Sequence, residues 1–268
     1  MNTATAHPTA NATTSTATTH PVLPRERWTS ERRALLAREM ELTRLGDQVA
    51  RERRALPWVR VDKPYVFDTP SGPRTLAELF GRQRQLLVQH FMLGPGWEAG
   101  CPSCSFMADH LGGMLPHLAQ RDVALAVVSR APLAEIEGFR RRMGWQFNWV
   151  SSHGSDFNRD FHVSFTPEER AGGEVFYNHK MRPFPKEEAP GISTFYKDEA
   201  GTVFHTYSTY GRGVEAMMGT YHLLDLVPKG RDEADLPYTM AWIRHHDRYE
   251  AAPAEASCCH GRADATAS

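Results

Sequence analysis

Two cysteines one helical turn apart, Cys101 and Cys104 in HFMLGPGWEAGCPSCSFMADH, are the residues whose type and spacing promise chemistry in this chain. A Cys-x-x-Cys can clamp a metal, anchor a haem, close a structural disulfide or cycle between dithiol and disulfide. A covalent haem needs histidine after the second cysteine, where Ser105 stands. A structural zinc needs two further ligands. The other two cysteines, Cys258 and Cys259, are adjacent to each other and to His260. Neighbouring thiols chelate one ion awkwardly, so no metal is expected; the pair reads as an accident of a flexible tail or, alternatively, as a second thiol relay.

Redox chemistry depends on where the chain places the first sulfur. QLLVQHFM is mostly apolar, as befits a strand in a sheet interior, and Gly94, Pro95, Gly96 and Gly100 break the chain after it. Cys101 therefore falls at the first turn of the following helix. Free backbone N–H groups and the positive dipole end favour a thiolate there, lowering a cysteine pKa from ~8.5 towards ~3.5–7.5. Pro102 suits a position just inside a helix start. Cys104, Met107, Leu111, Met114, Leu115 and Leu118 follow at helical spacing, so Cys104 heads the core-facing stripe. Cys101 is thus the expected nucleophile, and Cys104 the thiol that resolves the mixed disulfide. The plain alternative is two small apolar side chains at a helix start.

The elements around the pair predict an α/β domain with a mixed sheet. SERRALLAREMELTRLGDQVARERR, residues 30–54, reads as one helix capped by Ser30, with Leu35, Leu42, Val49 and Leu56 repeating every seven residues. Its stripe packs on its own domain or on a second copy. YVFD is a short strand, TLAELF a brief helix, and the cysteine helix runs to about Gln120 with a bend near Pro116. VALAVVSR, PLAEIEGFRRRMGW and FNWVSS read as strand, helix and strand. ISTFYKDEAGTVFHTYS is a hairpin and GVEAMMGTYHLLDLVP a helix. Residues 166–190 form an insertion without a readable structure. The expected organisation is a disordered tail (1–27), an amphipathic helix (28–57), the α/β domain (58–228), a helical extension (229–250) and a second tail (251–268).

The chain has 268 residues and a formal net charge of −1, so nothing in its charge suggests a grip on nucleic acid or membrane. No apolar run approaches the roughly 18 residues a spanning helix requires, and the N-terminus lacks the features of a secretory leader. A reactive pair in such a chain suggests the reducing cytoplasm. His90, His110, His153, His162, His205 and His222 are scattered rather than set at metal-ligand spacing. His245 and His246, in WIRHHDRYE, read as solvated on a charged terminal helix. Loops after core strands can line a pocket, which makes Arg130, His153, Asp156, Asn158 and Arg159 candidates for substrate contact.

The order around residues 65–104 resembles the thioredoxin-like superfamily. The phrases LPWVRVDKPYVFD, HFMLGPGWEAGCPSCSFMADH, VSRAPLAEIEGFRRRMGWQFNWVSSHGSDFNRDFHVSFTPEE and HTYSTYGRG resemble one bacterial family, domain of unknown function 899, described as predicted dithiol–disulfide oxidoreductases. The resemblance spans residues 30–250 and implies a thioredoxin-like fold with the CPSC pair in the redox position. Thioredoxins carry tryptophan directly before the first cysteine, whereas Trp97 lies four residues ahead of Cys101. They also open the closing hairpin with a cis-proline, for which Pro190 is the nearest match. The peroxiredoxin branch binds peroxide with Pro-x-x-x-Thr-x-x-Cys; here Gly94 and Glu98 hold the proline and threonine positions.

Three functions follow as expectations. The first is a thiol–disulfide oxidoreductase without cofactor, acting on a disulfide-containing protein or a small thiol substrate and recycled by an electron donor. The second is a thiol peroxidase passing through a Cys101 sulfenic acid. The third is a binding module, its pair idle and its contacts on the insertion or the long helix, with a homodimer among the partners. Trp97, Arg130, Asp156 and Pro190 are the expected substrate contacts.

Overall fold

The structure, a computed structural model, describes residues 20–250. The expected tail over 251–268, with Cys258, Cys259 and His260, lies outside the described residues, as does the expected tail up to residue 19. The chain divides after Ala55 into two units. The first contains α1 (Arg25–Arg54), which starts after Pro24, ahead of the expected Ser30 cap. None of its residues is buried, and Leu35, Met40, Leu42, Leu45 and Val49 are exposed.

The second unit is built on a six-stranded sheet. Its elements in chain order are β1 (Val59–Arg60), β2 (Val66–Phe67), β3 (Arg74–Thr75), α2 (Leu76–Leu79), β4 (Gln85–His90), α3 (Pro102–Ala108), α4 (Leu115–Gln120), β5 (Val123–Ser129), α5 (Leu133–Arg142) and β6 (Asn148–Ser151). There follow α6 (Phe157–Asp160), α7 (Pro167–Ala171), β7 (Val175–Tyr177), β8 (Lys180–Arg182), β9 (Gly191–Lys197), β10 (Val203–Tyr210) and α8 (Gly219–Leu224). The sheet order is β1-β10-β9-β4-β5-β6. β4, β5 and β6 run parallel, while β9 is antiparallel to β4 and to β10. A strand delivering the cysteine helix at the sheet centre, a parallel neighbour on one side and a closing hairpin on the other make this the thioredoxin-like frame.

Alternation along the strands separates two cores. Leu125, Val127, Trp149 and Ile192 join Phe91, Met92, Cys104 and Met107 on one face, under α3, α5 and α8. Leu86, Val88, Ala126, Val128, Val150 and Phe195 join Phe157, Phe161 and Phe80 on the other. Each buried Val, Leu, Ile, Phe or Met among them contributes roughly 1.5–3 kcal/mol. Among the described residues, no helix is long and apolar enough to cross a membrane.

Several elements depart from expectation. The cysteine helix stops at Ala108, and after a turn through Gly112 and Gly113 a separate α4 begins with Pro116 in its first turn. Two successive glycines weaken the helix more than the proline, which a first turn accepts. The helix expected over 213–228 is a 3-10 turn (Gly211–Met217) followed by α8. Residues 229–250 are turns with one 3-10 turn at His246–Arg248, not a helix. The insertion holds α7, closed by a Thr166–Glu169 capping box, and the β7–β8 hairpin.

Candidate active site

Hydrogen bonds to β5 and within the loop itself fix the segment that carries the first thiol. Phe91 N–H donates to Val128 O, Ala131 N–H to Leu93 O and Cys101 N–H to Met92 O, all at 2.9–3.0 Å. The Ser129 hydroxyl donates to Phe91 O at 2.8 Å and accepts from Trp149 Nε1 at 3.0 Å, which satisfies a buried indole. Gly100 has no room for a side chain: a Cβ there would stand 2.5 Å from Phe91 Cε1 and 2.8 Å from Phe139 Cε1.

Cys101 is the N-cap of α3 with φ −58° and ψ 129°, and Pro102 opens the helix. Both cysteines are free thiols; Cys101 is half-buried and Cys104 buried. The Cys104 S–H donates to the Cys101 sulfur, which is the main influence holding the Cys101 thiol down to about 6. Burial opposes this, while the N–H groups of Cys104 and Ser103 and the charge of Lys186 add to it. Cys104 moves the other way, well above the ordinary thiol range, because its S–H donates a hydrogen bond to the Cys101 sulfur, it is buried and it faces the negative charge on Cys101. Two equivalent residues are thereby split into a thiolate and a proton-bearing thiol.

The insertion reaches this loop. Trp97 Nε1 donates to Glu187 Oε1 at 2.9 Å, and Arg130 Nη2 stands 3.6 Å from Glu187 Oε2. Arg130 Nε donates to Glu188 Oε1 at 2.5 Å. Glu188 is buried, also accepts from Ser164, and burial pushes its carboxyl up. A Cβ on Gly94 would lie 2.9 Å from Glu187 Oε1 and 3.0 Å from Trp97 Nε1, so glycine makes room for this contact. Trp97 and Arg130, both expected as substrate contacts, are thus brought together by Glu187. Replacing Glu187 with Ala is expected to cost ~1–2 kcal/mol, chiefly through the unpaired indole, since Arg130 keeps Glu188 as a partner. A red-shifted tryptophan fluorescence with a lower denaturation midpoint would check it.

The remaining expected contacts lie differently. Pro190 O accepts from Tyr177 O–H at 2.7 Å, and Pro190 precedes Gly191, the partner of His90 at the end of β4. No peptide bond among the described residues is cis, so Pro190 does not supply the cis-proline of thioredoxins. Asp156 heads α6, whose Phe157 packs in the core opposite Cys104, and its carboxylate accepts from Lys63 Nζ at 2.8 Å. His153 Nδ1 meets Arg130 O at 3.3 Å, and Asn158 Oδ1 accepts from Ser152. His90 is buried and pushed down to about 3, hydrogen-bonded to Ser193 and stacked on Phe157 and Phe161, which is a structural role. Among the described residues, no group of three or more His, Cys, Asp or Glu is set to hold a metal.

Sequence reading missed Glu187, Glu188 and Lys186, whose positions depend on how the insertion folds back. It also placed His245 on a solvated helix, whereas His245 is buried and its Nε2 lies 2.8 Å from Gly100 O. Burial there alternates, at Ile243 and His245, with the period of two that extended backbone gives and a helix does not.

Fold and site define a thioredoxin-like protein with a thiol pair at the head of the central helix. More particularly, the chain belongs to the family described as bacterial protein of unknown function (DUF899), whose model matches residues 17–249. No curated protein matches the sequence. Among solved structures, the chain is similar to the Xanthomonas campestris bacterioferritin comigratory protein (13% identity, 63% of this chain and 90% of that one, TM-score 0.39). It is also similar to the peroxidoxin BcpB from Mycobacterium tuberculosis (13%, 60% and 97%, TM-score 0.39) and to the mitochondrial 2-cys peroxiredoxin from Plasmodium falciparum (12%, 63% and 95%, TM-score 0.38).

Proposed function

We propose that the protein is a thiol–disulfide oxidoreductase whose working groups are Cys101 and Cys104, acting in a reducing compartment. The observation that supports this reading best is the opposite displacement of the two thiols. The Cys101 thiolate attacks one sulfur of a substrate disulfide, forming a mixed disulfide and expelling the other sulfur as thiolate. Cys104 then loses its proton to the departing thiolate or water and attacks Cys101. The Cys101–Cys104 disulfide forms, the second substrate thiolate leaves, and the substrate has gained two electrons. A dithiol donor restores the pair by the same exchange in reverse.

The test is alkylation of the reduced protein at graded pH, with the modified cysteine located by mass spectrometry. Cys101 is expected to reach half-maximal rate near pH 6, below the ~8.5 of a free thiol, and Cys104 to stay unmodified across that range. A Cys101 that titrates as an ordinary thiol would exclude the reading. The peroxidase alternative uses the same thiolate, and a rate with hydrogen peroxide no greater than that of a free thiol would remove it.

A further inference from the structure

The segment that ends the described residues returns along the cysteine helix. Ile243 is buried in the core beneath α3, and the ring of Trp242 packs edge-on against Phe106. His245 then points its Nε2 at the Gly100 carbonyl, 2.8 Å away. A carbonyl only accepts, so this nitrogen carries the proton. The other ring nitrogen, Nδ1, lies 3.2 Å from Arg142 Nη2, which only donates, so Nδ1 presents its lone pair. Arg142 is fixed in turn by both oxygens of Asp247, at 2.8 and 2.9 Å. The next residue, His246, meets Asp109 Oδ1 at 2.7 Å, and that oxygen also accepts from Trp145 Nε1. Consecutive histidines therefore hold residues at the two ends of α3.

Gly100 and Cys101 share one peptide group. Its C=O accepts from His245 and its N–H donates to Met92 O. A peptide group is planar, so fixing both polar atoms fixes the plane and the Cα of Cys101 with it. The sulfur is then held where the N–H groups of Ser103 and Cys104 meet it. Phe139, which fills the space beside Gly100, also packs edge-on against the His245 ring at 5.3 Å, so the ring cannot turn away freely.

We propose that His245 is a positioning residue for the attacking thiol: as the Nε2–H tautomer held by Arg142, it clamps the Gly100–Cys101 peptide and so aims the Cys101 sulfur. The inference rests on Cys101 being the attacking thiol. It predicts that a change 144 positions away in sequence alters the ionisation of Cys101 without touching its sulfur.

The experiment compares full-length wild type, His245→Ala and His245→Gln. In His245→Ala, the Cys101 alkylation midpoint is expected to rise by about half a pH unit or more. Exchange with a dithiopyridine disulfide at pH 7 should fall about tenfold, the size of effect one lost hydrogen bond to the aiming peptide can carry. His245→Gln keeps an N–H donor and an acceptor on one planar group, and should return both readouts to within about threefold of wild type. A folded His245→Ala protein with the wild-type midpoint and rate overturns the inference. A glutamine variant as impaired as alanine overturns it also, since mere space-filling would then be the role. Nitrogen-15 NMR of the wild-type imidazole gives a readout that does not depend on how the variants fold: a proton on Nε2 supports the clamp, and one on Nδ1 overturns it. If wild-type Cys101 itself titrates as an ordinary thiol, the proposed function fails and this inference with it; a low wild-type midpoint unchanged in the folded alanine variant removes the inference alone.

Discussion

Cys104→Ala is expected to yield a protein that takes up one substrate half and stops. Cys101 can still attack, but no second thiol attacks the adduct, so the mixed disulfide persists and turnover falls to background. The same change removes the S–H that chiefly holds Cys101 down, so its alkylation midpoint should move up towards ~8.5. Cys104→Ser should trap the same adduct with a smaller rise, because a hydroxyl can still donate to the thiolate. The sign is fixed by the direction of the shift. Cys101 is ionised above its lowered midpoint and protonated below it, so at any pH between the two midpoints the variant carries less thiolate than wild type. Intact-protein mass spectrometry reads the adduct and the pH profile reads the midpoint. Wild-type turnover in Cys104→Ala would eliminate the resolving role.

Gly100→Ala is the change with the largest expected structural effect near the site. The new Cβ would stand 2.5 Å from Phe91 Cε1 and 2.8 Å from Phe139 Cε1. Neither ring has room to retreat: Phe91 packs on Trp149 at 4.6 Å between centroids, and Phe139 meets Trp145 edge-on at 5.7 Å. Overpacking of this kind costs ~1–3 kcal/mol, which lowers Tm by roughly 2–4 °C per kcal/mol in a domain of this size. The backbone displacement falls on the residue before the nucleophile, and a misplacement of ~1 Å can cost ~10²-fold in rate. Thermal melting and disulfide exchange measure the two losses separately. A variant with wild-type Tm and rate would show that the aromatic wall yields.

The frame was legible because its signals are local. QLLVQH and VALAVVS are apolar runs of strand length, and a glycine-rich break followed by Cys-Pro marks a helix start whatever surrounds it. The same locality placed Cys101 and Cys104 at different depths, since one turn of helix separates a tip from a core-facing stripe. What escaped was long-range. Glu187 reaches Trp97 across 90 positions and His245 reaches Gly100 across 145; no periodicity encodes such pairings. The charged string WIRHHDRYE reads as a solvated helix when its residues are taken without partners, but Asp247 pairs with Arg142, His246 meets Asp109 and His245 meets the Gly100 carbonyl. The cysteine helix was overextended for a different reason: apolar spacing continues through 111–118, and the stripe hid the glycine pair that interrupts it.

The margins of the central sheet have a consequence for how the protein behaves when concentrated. At one margin, β6 has four residues, and its last, Ser151, exchanges two backbone hydrogen bonds with Asp68. At the other, β1 has two residues, with Pro57 and Pro64, which have no N–H to offer, close on either side. The β6 border is thus short and already bonded, whereas β1 covers only Phe204 and His205 of the eight-residue β10. Edge-to-edge aggregation, the common hazard of an open sheet, is therefore blunted at the β6 border by a very short strand and by bonds already made.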